Sequence, residues 1–292
     1  MKSNNPVFNR SAEFSGAGSN AYGNQSYQGG GTTYPSYGQQ PGSDPSQWGT
    51  GTPGAPTTPV TEGPMTVDTV VQKTAISVGL VILTAAVTWF LTPDLSDPAA
   101  ALGPLYLAIM IGGFGAFGLS MVNSFKKVVS PALVLAFAVL EGVALGAFSK
   151  LLDAQFGGQE NIVVQAVIGT FAAFAGTLAA YKFFDIKVGD KFRTFVVAAM
   201  FGMIALGLLE MGLSMFSNEL GLFGFGALGL LFAIGGLVLG VFMLILDFDF
   251  VERGVAARLP ERESWRAAFA MTVSLVWIYT NLLRILAIMN SD

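Results

Sequence analysis

Apolar positions in this chain come in long uncharged runs separated by short loops, and most of the Lys and Arg sits in every second loop. The stretches 74–93, 98–125, 161–181, 194–209 and 220–246 hold no Asp, Glu, Lys or Arg. A helix needs roughly 20 predominantly apolar residues to cross the hydrocarbon core of a bilayer. The pattern predicts an all-α integral membrane protein, a seven-transmembrane-helix bundle with spans at 74–92, 99–122, 131–152, 161–182, 194–216, 224–247 and 266–288. The third span is accepted despite Glu141 and the fifth despite Glu210, because the flanks of each are apolar. The seventh carries Thr272, Ser274, Thr280, Asn281 and Arg284, and a re-entrant last segment, leaving six spans, is the rival reading.

Basic residues orient the bundle. Lys73 precedes the first span; Lys126 and Lys127 lie in the second loop, Lys182, Lys187, Lys191 and Arg193 around the fourth, and Arg253, Arg258, Arg262 and Arg266 around the sixth. The odd-numbered loops carry only Lys150, at a helix end. The N-terminus is therefore expected in the cytoplasm and the C-terminus outside.

Residues 1–64 are different. They are rich in Gly, Pro, Ser and scattered aromatics and lack Leu and Ile, as in Gln25–Gly38. Such a segment cannot bury enough surface to offset the entropy of ordering, so a disordered cytoplasmic tail is expected, followed by a transmembrane domain over 65–292. Thr66 and Asp68 are candidate caps for the first helix. No cleavable signal peptide is expected, since Lys2 and Arg10 have no apolar run behind them.

Composition narrows the chemistry. Hydrophobic residues make up 52% and charged residues 12%, the balance of a polytopic membrane protein. The net charge of −4 adds little, because most acids sit in tail and loops. There is no Cys and no His, which removes thiol chemistry and the usual proton shuttle and metal ligand. Aspartyl chemistry would need two facing carboxylates, and the seventh span has none. An enzyme is not expected.

Ionisable groups at membrane depth are costly and usually face the bundle interior. Glu141 lies midway along the third span with no basic partner at its depth, so its carboxyl is expected to be neutral or hydrogen-bonded. Glu210 and Arg284 reach similar outward levels and are candidates for a buried ion pair. Asp247 ends the sixth span at its cytoplasmic side, and Asp249 follows as an expected solvated loop residue. Gly142 with Gly146, Gly236 with Gly240, and Gly112, Gly113, Gly115 and Gly118 suggest close helix approach and a compact bundle, not a wide pore.

The order of several motifs resembles the Bax inhibitor family (transmembrane BAX inhibitor motif proteins). Val139–Lys150 (VLEGVALGAFSK) resembles that family's third-helix segment, Leu246–Glu252 (LDFDFVE) its acidic motif at the end of the sixth helix, and Ile278–Leu286 (IYTNLLRIL) the close of its seventh. Asn5–Arg10 and Met65–Thr74 are similar to the long-tailed bacterial branch. The resemblance covers roughly 65–292 and implies six helices around a central seventh, in a bacterial inner membrane. It also implies a pH-sensitive calcium leak, in which aspartates on helices six and seven form a latch, or a role in stress response through restraint of membrane proteases.

Carried onto this chain, the first latch aspartate falls on Asp247 and the second on Ser274; the second-helix arginine has no counterpart. The carboxylate pair is thus incomplete, leaving Asp247 with Ser274 or Asn281 as a hydrogen-bonded closure. Gate and proton-sensing candidates are Asp247, Glu141, Asp249, Ser274 and Asn281. No cofactor is expected, calcium entering only as a transported ion. The expected partner is the lipid bilayer, with no nucleic acid. The alternative function is a non-conducting regulator that binds another membrane protein, such as a membrane protease.

Overall fold

The computed structural model describes residues 63–93, 98–157, 161–216 and 220–291. All but Gly63 and Pro64 of the expected tail therefore lies outside the described residues. Among these residues, seven helices are long and apolar enough to cross a membrane. They are α1 Val67–Leu91, α2 Pro98–Phe125, α3 Pro131–Leu152, α4 Ile162–Phe183, α5 Asp190–Ser214, α6 Ala227–Ala256 and α7 Glu263–Met289, with a π-helical turn, Asp153–Gly157, continuing α3.

Two helices run about two turns or more past the spans expected for them. α1 starts at Val67, because Thr66 caps it: the Thr66 hydroxyl accepts from Thr69 N at 3.1 Å while the Thr69 hydroxyl accepts from Thr66 N at 3.1 Å. Lys73 is thus inside the helix, where its Nζ donates to the Glu261 carboxylate at 2.9 Å and lies 5.6 Å from the centre of the Trp265 ring. α6 continues to Ala256, past the expected end at 247, because its last two turns are held by ion pairs described below.

α7 is the hub. It packs against α1, α3, α4 and α6. More than half of its apolar stretch is buried inside the bundle, whereas α5, which packs chiefly against α6, is mostly exposed. α2 packs chiefly on α3. Apolar side chains build the hub's contacts: Leu283 and Ala287 of α7 meet Ile162 and Ala166 of α4, while Val276 and Tyr279 meet Val81 of α1 and Ala138 and Leu145 of α3. Phe137 of α3 meets Phe269 edge-on at 5.0 Å between ring centres.

Glycine sets the closest approaches. A Cβ on Gly142 would run into the Val81 carbonyl and Thr84 Oγ1, and one on Gly146 into the backbone of Ala85, so α3 lies directly on α1. Gly236 and Gly240 of α6 likewise face Asn281 and Ile278 of α7. In α2 only Gly112 and Gly115 are used this way, against Leu140 and Ala144; Gly113 and Gly118 face open space.

One end of the bundle gathers the basic residues, and a short strap closes it. Met65 N donates to Leu259 O at 2.7 Å and Glu261 N to Gly63 O at 2.8 Å, so residues 63–65 pair with the α6–α7 loop. Arg266 bonds Glu263 at 3.1 Å and the Lys127 carbonyl at 2.8 Å.

Candidate functional site

The site forms where α6 passes α7. Ser274 Oγ donates to Asp247 Oδ2 at 2.6 Å, and Ser274 is 1% exposed. The glycine approaches at 236 and 240 bring the two helices near enough for so short a side-chain pair to meet. Asp247 is not at the helix end, as expected, but within α6. At a rise of roughly 1.5 Å per residue, about 13 Å of helix separates it from Ala256.

Glu141 lies at the same depth on the other flank of the hub. It stands about 15 Å along α3 from Pro131, and Ser274 about 16 Å along α7 from Glu263. α3 meets α7 at Phe269, Val276 and Tyr279, which lie on the opposite side of that helix from Ser274. α7 therefore separates the two carboxyls. Glu141 is partly buried and makes no hydrogen bond or ion pair among the described residues. Of the two expectations for its carboxyl, neutral or hydrogen-bonded, the hydrogen-bonded one finds no partner among the described residues.

Asp249 corrects the sequence reading. It is no solvated loop residue; it is 6% exposed, in α6, with Oδ2 3.0 Å from Arg193 and Oδ1 2.9 Å from Arg253. Arg253 also donates to the Val188 carbonyl at 2.8 Å, tying the α4–α5 connection to α6. Two guanidinium groups and good hydrogen bonds are what a buried carboxylate requires. The i,i+4 spacing of Asp249 and Arg253 is a signal the sequence held. Arg193 had none, being far away in the chain. Beside this cluster Tyr181 Oη donates to Glu252 at 2.6 Å, linking α4 to α6.

Asn281 does not join Asp247. Its Nδ2 donates to the Trp277 carbonyl at 2.8 Å, and its side chain packs on Gly236. Trp277 in turn donates to the Gly236 carbonyl at 2.8 Å.

The expected Glu210–Arg284 ion pair is also not formed. The Glu210 carboxylate accepts from the backbone N–H groups of Leu220, Gly221 and Leu222 at 3.0, 2.8 and 3.1 Å. Arg284 donates to the Leu222 carbonyl at 2.7 Å and lies over the Phe223 ring. Both residues do reach one level of the bundle, as their depth required. They hold the same loop from two sides in place of each other, because the loop's unpaired backbone groups fill the space between them. Gly221 turns that loop with φ +82°, which only glycine adopts without strain.

Seven apolar helices, the last of them at the centre of the packing, with acids at mid-depth, define a multi-pass helical membrane protein. The sequence profile of the family described as Bax inhibitor 1 like matches residues 5–291, and the chain belongs to that family. It is also 28% identical over 160 residues to an uncharacterized protein of Chlamydia muridarum (strain MoPn / Nigg), a match covering 53% of this chain and 63% of that relative.

Proposed function

We propose that the protein is a pH-responsive ion leak with calcium as the transported ion, and that the Asp247–Ser274 contact holds its closed form. That contact carries the reading: a titratable side chain of α6 is joined at 2.6 Å to the hub helix. A serine hydroxyl both donates and accepts, so the bond can persist in either protonation state of Asp247. Protonation changes the charge, and a charge change at this depth biases a closed-to-open equilibrium of α6 against α7. Glu141 supplies a second titratable group at that depth. Asp249, clamped by Arg193 and Arg253, anchors the cytoplasmic end of α6. The setting of this reading is a bacterial inner membrane with the N-terminus in the cytoplasm.

Calcium flux into liposomes, measured in one acidic and one alkaline buffer, tests it. Wild-type flux is expected to depend modestly on pH, and Asp247→Asn to lose most of that dependence. Ser274→Asp should steepen it, because two adjacent acids resist joint ionisation. Measurable flux that neither substitution alters would remove Asp247 from the mechanism. Absence of flux in every variant would favour a non-conducting regulator that binds another membrane protein, such as a membrane protease in stress response.

A further inference from the structure

A cavity of about 440 Å³ opens on the flank of α7 turned away from Ser274, bounded by α1, α3 and α4. Its α7 wall is Thr272, Leu275, Val276 and Tyr279, one face of the helix at i, i+3, i+4 and i+7. α1 and α4 leave a lengthwise opening, and its rim is apolar: Ile82, Phe90, Val164 and Phe171 are all exposed. In a membrane this opening faces acyl chains.

Length and polarity both point to one occupant. From Val78 to Phe90 the α1 wall measures about 18 Å. Half of a hydrocarbon core of roughly 30 Å is about 15 Å, so the groove spans one leaflet. Its deep part is apolar apart from Thr170 and Thr272, whose hydroxyls each donate to a carbonyl of their own helix at 2.7 Å. The other polar groups collect at the end remote from the basic loops: Ser149, Asp153, Asn161 and Tyr279. Ser149 and Tyr279 bond each other at 2.6 Å, leaving little capacity for a guest. Asp153 is different. Its carboxylate makes no hydrogen bond or ion pair among the described residues, and it is the charged residue of the lining. It stands about 33 Å along the helix from Pro131, at headgroup level. The π-helical turn Asp153–Gly157 begins there, a departure from regular helix of the kind that re-aims side chains at functional sites.

We propose that this groove binds one phospholipid of the leaflet remote from the N-terminus, an acyl chain filling the aliphatic slot and a primary ammonium headgroup resting on Asp153. A primary ammonium offers three N–H donors to a carboxylate, a quaternary ammonium none, and a glycerol headgroup no positive charge. The site should therefore rank phosphatidylethanolamine above phosphatidylcholine and phosphatidylglycerol.

Native mass spectrometry of the detergent-solubilised full chain, with the three lipids supplied at equal concentration, tests this. The ethanolamine lipid is expected to be retained about tenfold over the glycerol lipid, the ratio a charge-assisted bond supplies. Asp153→Asn should bring the three lipids to near-equal retention, and Asp153→Glu should keep the ranking. Val167→Phe, which fills the slot while leaving Asp153 in place, should lower retention of all three. Equal retention by the wild-type chain, a ranking that survives Asp153→Asn, or a Val167→Phe variant that binds as well as wild type would each overturn the proposal.

Discussion

Three backbone N–H groups converge on the Glu210 carboxylate, and this site shows how far a single residue can be read from sequence. A buried acid and a buried base at one depth suggest an ion pair. The loop between α5 and α6 has unpaired backbone groups of its own, and those take both partners. Glu210→Gln keeps the shape but replaces one acceptor oxygen by a donor that faces backbone N–H groups. It is expected to cost about 1–3 kcal/mol in unfolding from detergent. Arg284→Met should cost less than the double variant, but the double variant should fall short of the sum by about 0.5–1 kcal/mol, since both hold one loop. Strict additivity in that cycle would mean the loop does not couple them. Asp249 was legible as acidic and illegible as buried, because its partner Arg193 is brought to it by the fold and not by spacing. Removing its charge in Asp249→Asn strands two guanidinium groups. A loss of about 2 kcal/mol is expected, read as a lower melting temperature.

At the scale of elements, the apolar runs located the helices well and their ends poorly. Helix ends depend on caps and ion pairs, and these lie outside the uncharged stretches: Thr66 with Thr69 starts α1, while Arg193 and Arg253 carry α6 onward through Asp249. The glycine spacings were legible as close approaches, but which glycines are used was not. That difference makes a comparison possible within one molecule. Gly142→Ala puts a methyl into the Val81 carbonyl and Thr84 of α1, and should destabilise by about 1–3 kcal/mol as α3 is pushed away. Gly113→Ala meets open space and should be neutral, or stabilising by up to about 1 kcal/mol through helix propensity. Equal effects of the two in thermal melts would refute the packing of α3 on α1.

At the scale of the whole molecule, an odd count of seven candidate spans leads us to expect the start of α1 and the end of α7 on opposite sides of the membrane. A reporter fused after Asp292 is expected to act outside the cytoplasm, and cytoplasmic activity there would sink both the orientation and the odd count. The order of the spans was determined by sequence alone, while their number was left between seven and a six-span rival until the last segment formed the continuous helix Glu263–Met289. The cost of exposing polar groups to hydrocarbon makes a long uncharged run a local and sufficient signal. The resemblance of VLEGVALGAFSK, LDFDFVE and IYTNLLRIL to the Bax inhibitor family was equally local, and the family's match to 5–291 agrees with it. Which helix sits at the centre reached the sequence reading only through that resemblance; the packing of α1, α3, α4 and α6 on α7 shows it directly. The resemblance offered Ser274 or Asn281 as Asp247's partner, and tertiary structure joins Ser274 to it; tertiary structure alone decided that Asp247 lies well inside α6, that Glu141 stands at its depth on the far flank of α7, and that α1 and α4 part to leave a groove ending at Asp153. Spacing along one helix says which residues share a face. It does not say which face of which neighbour they meet, because that is settled by the packing of small residues and loops from distant parts of the chain.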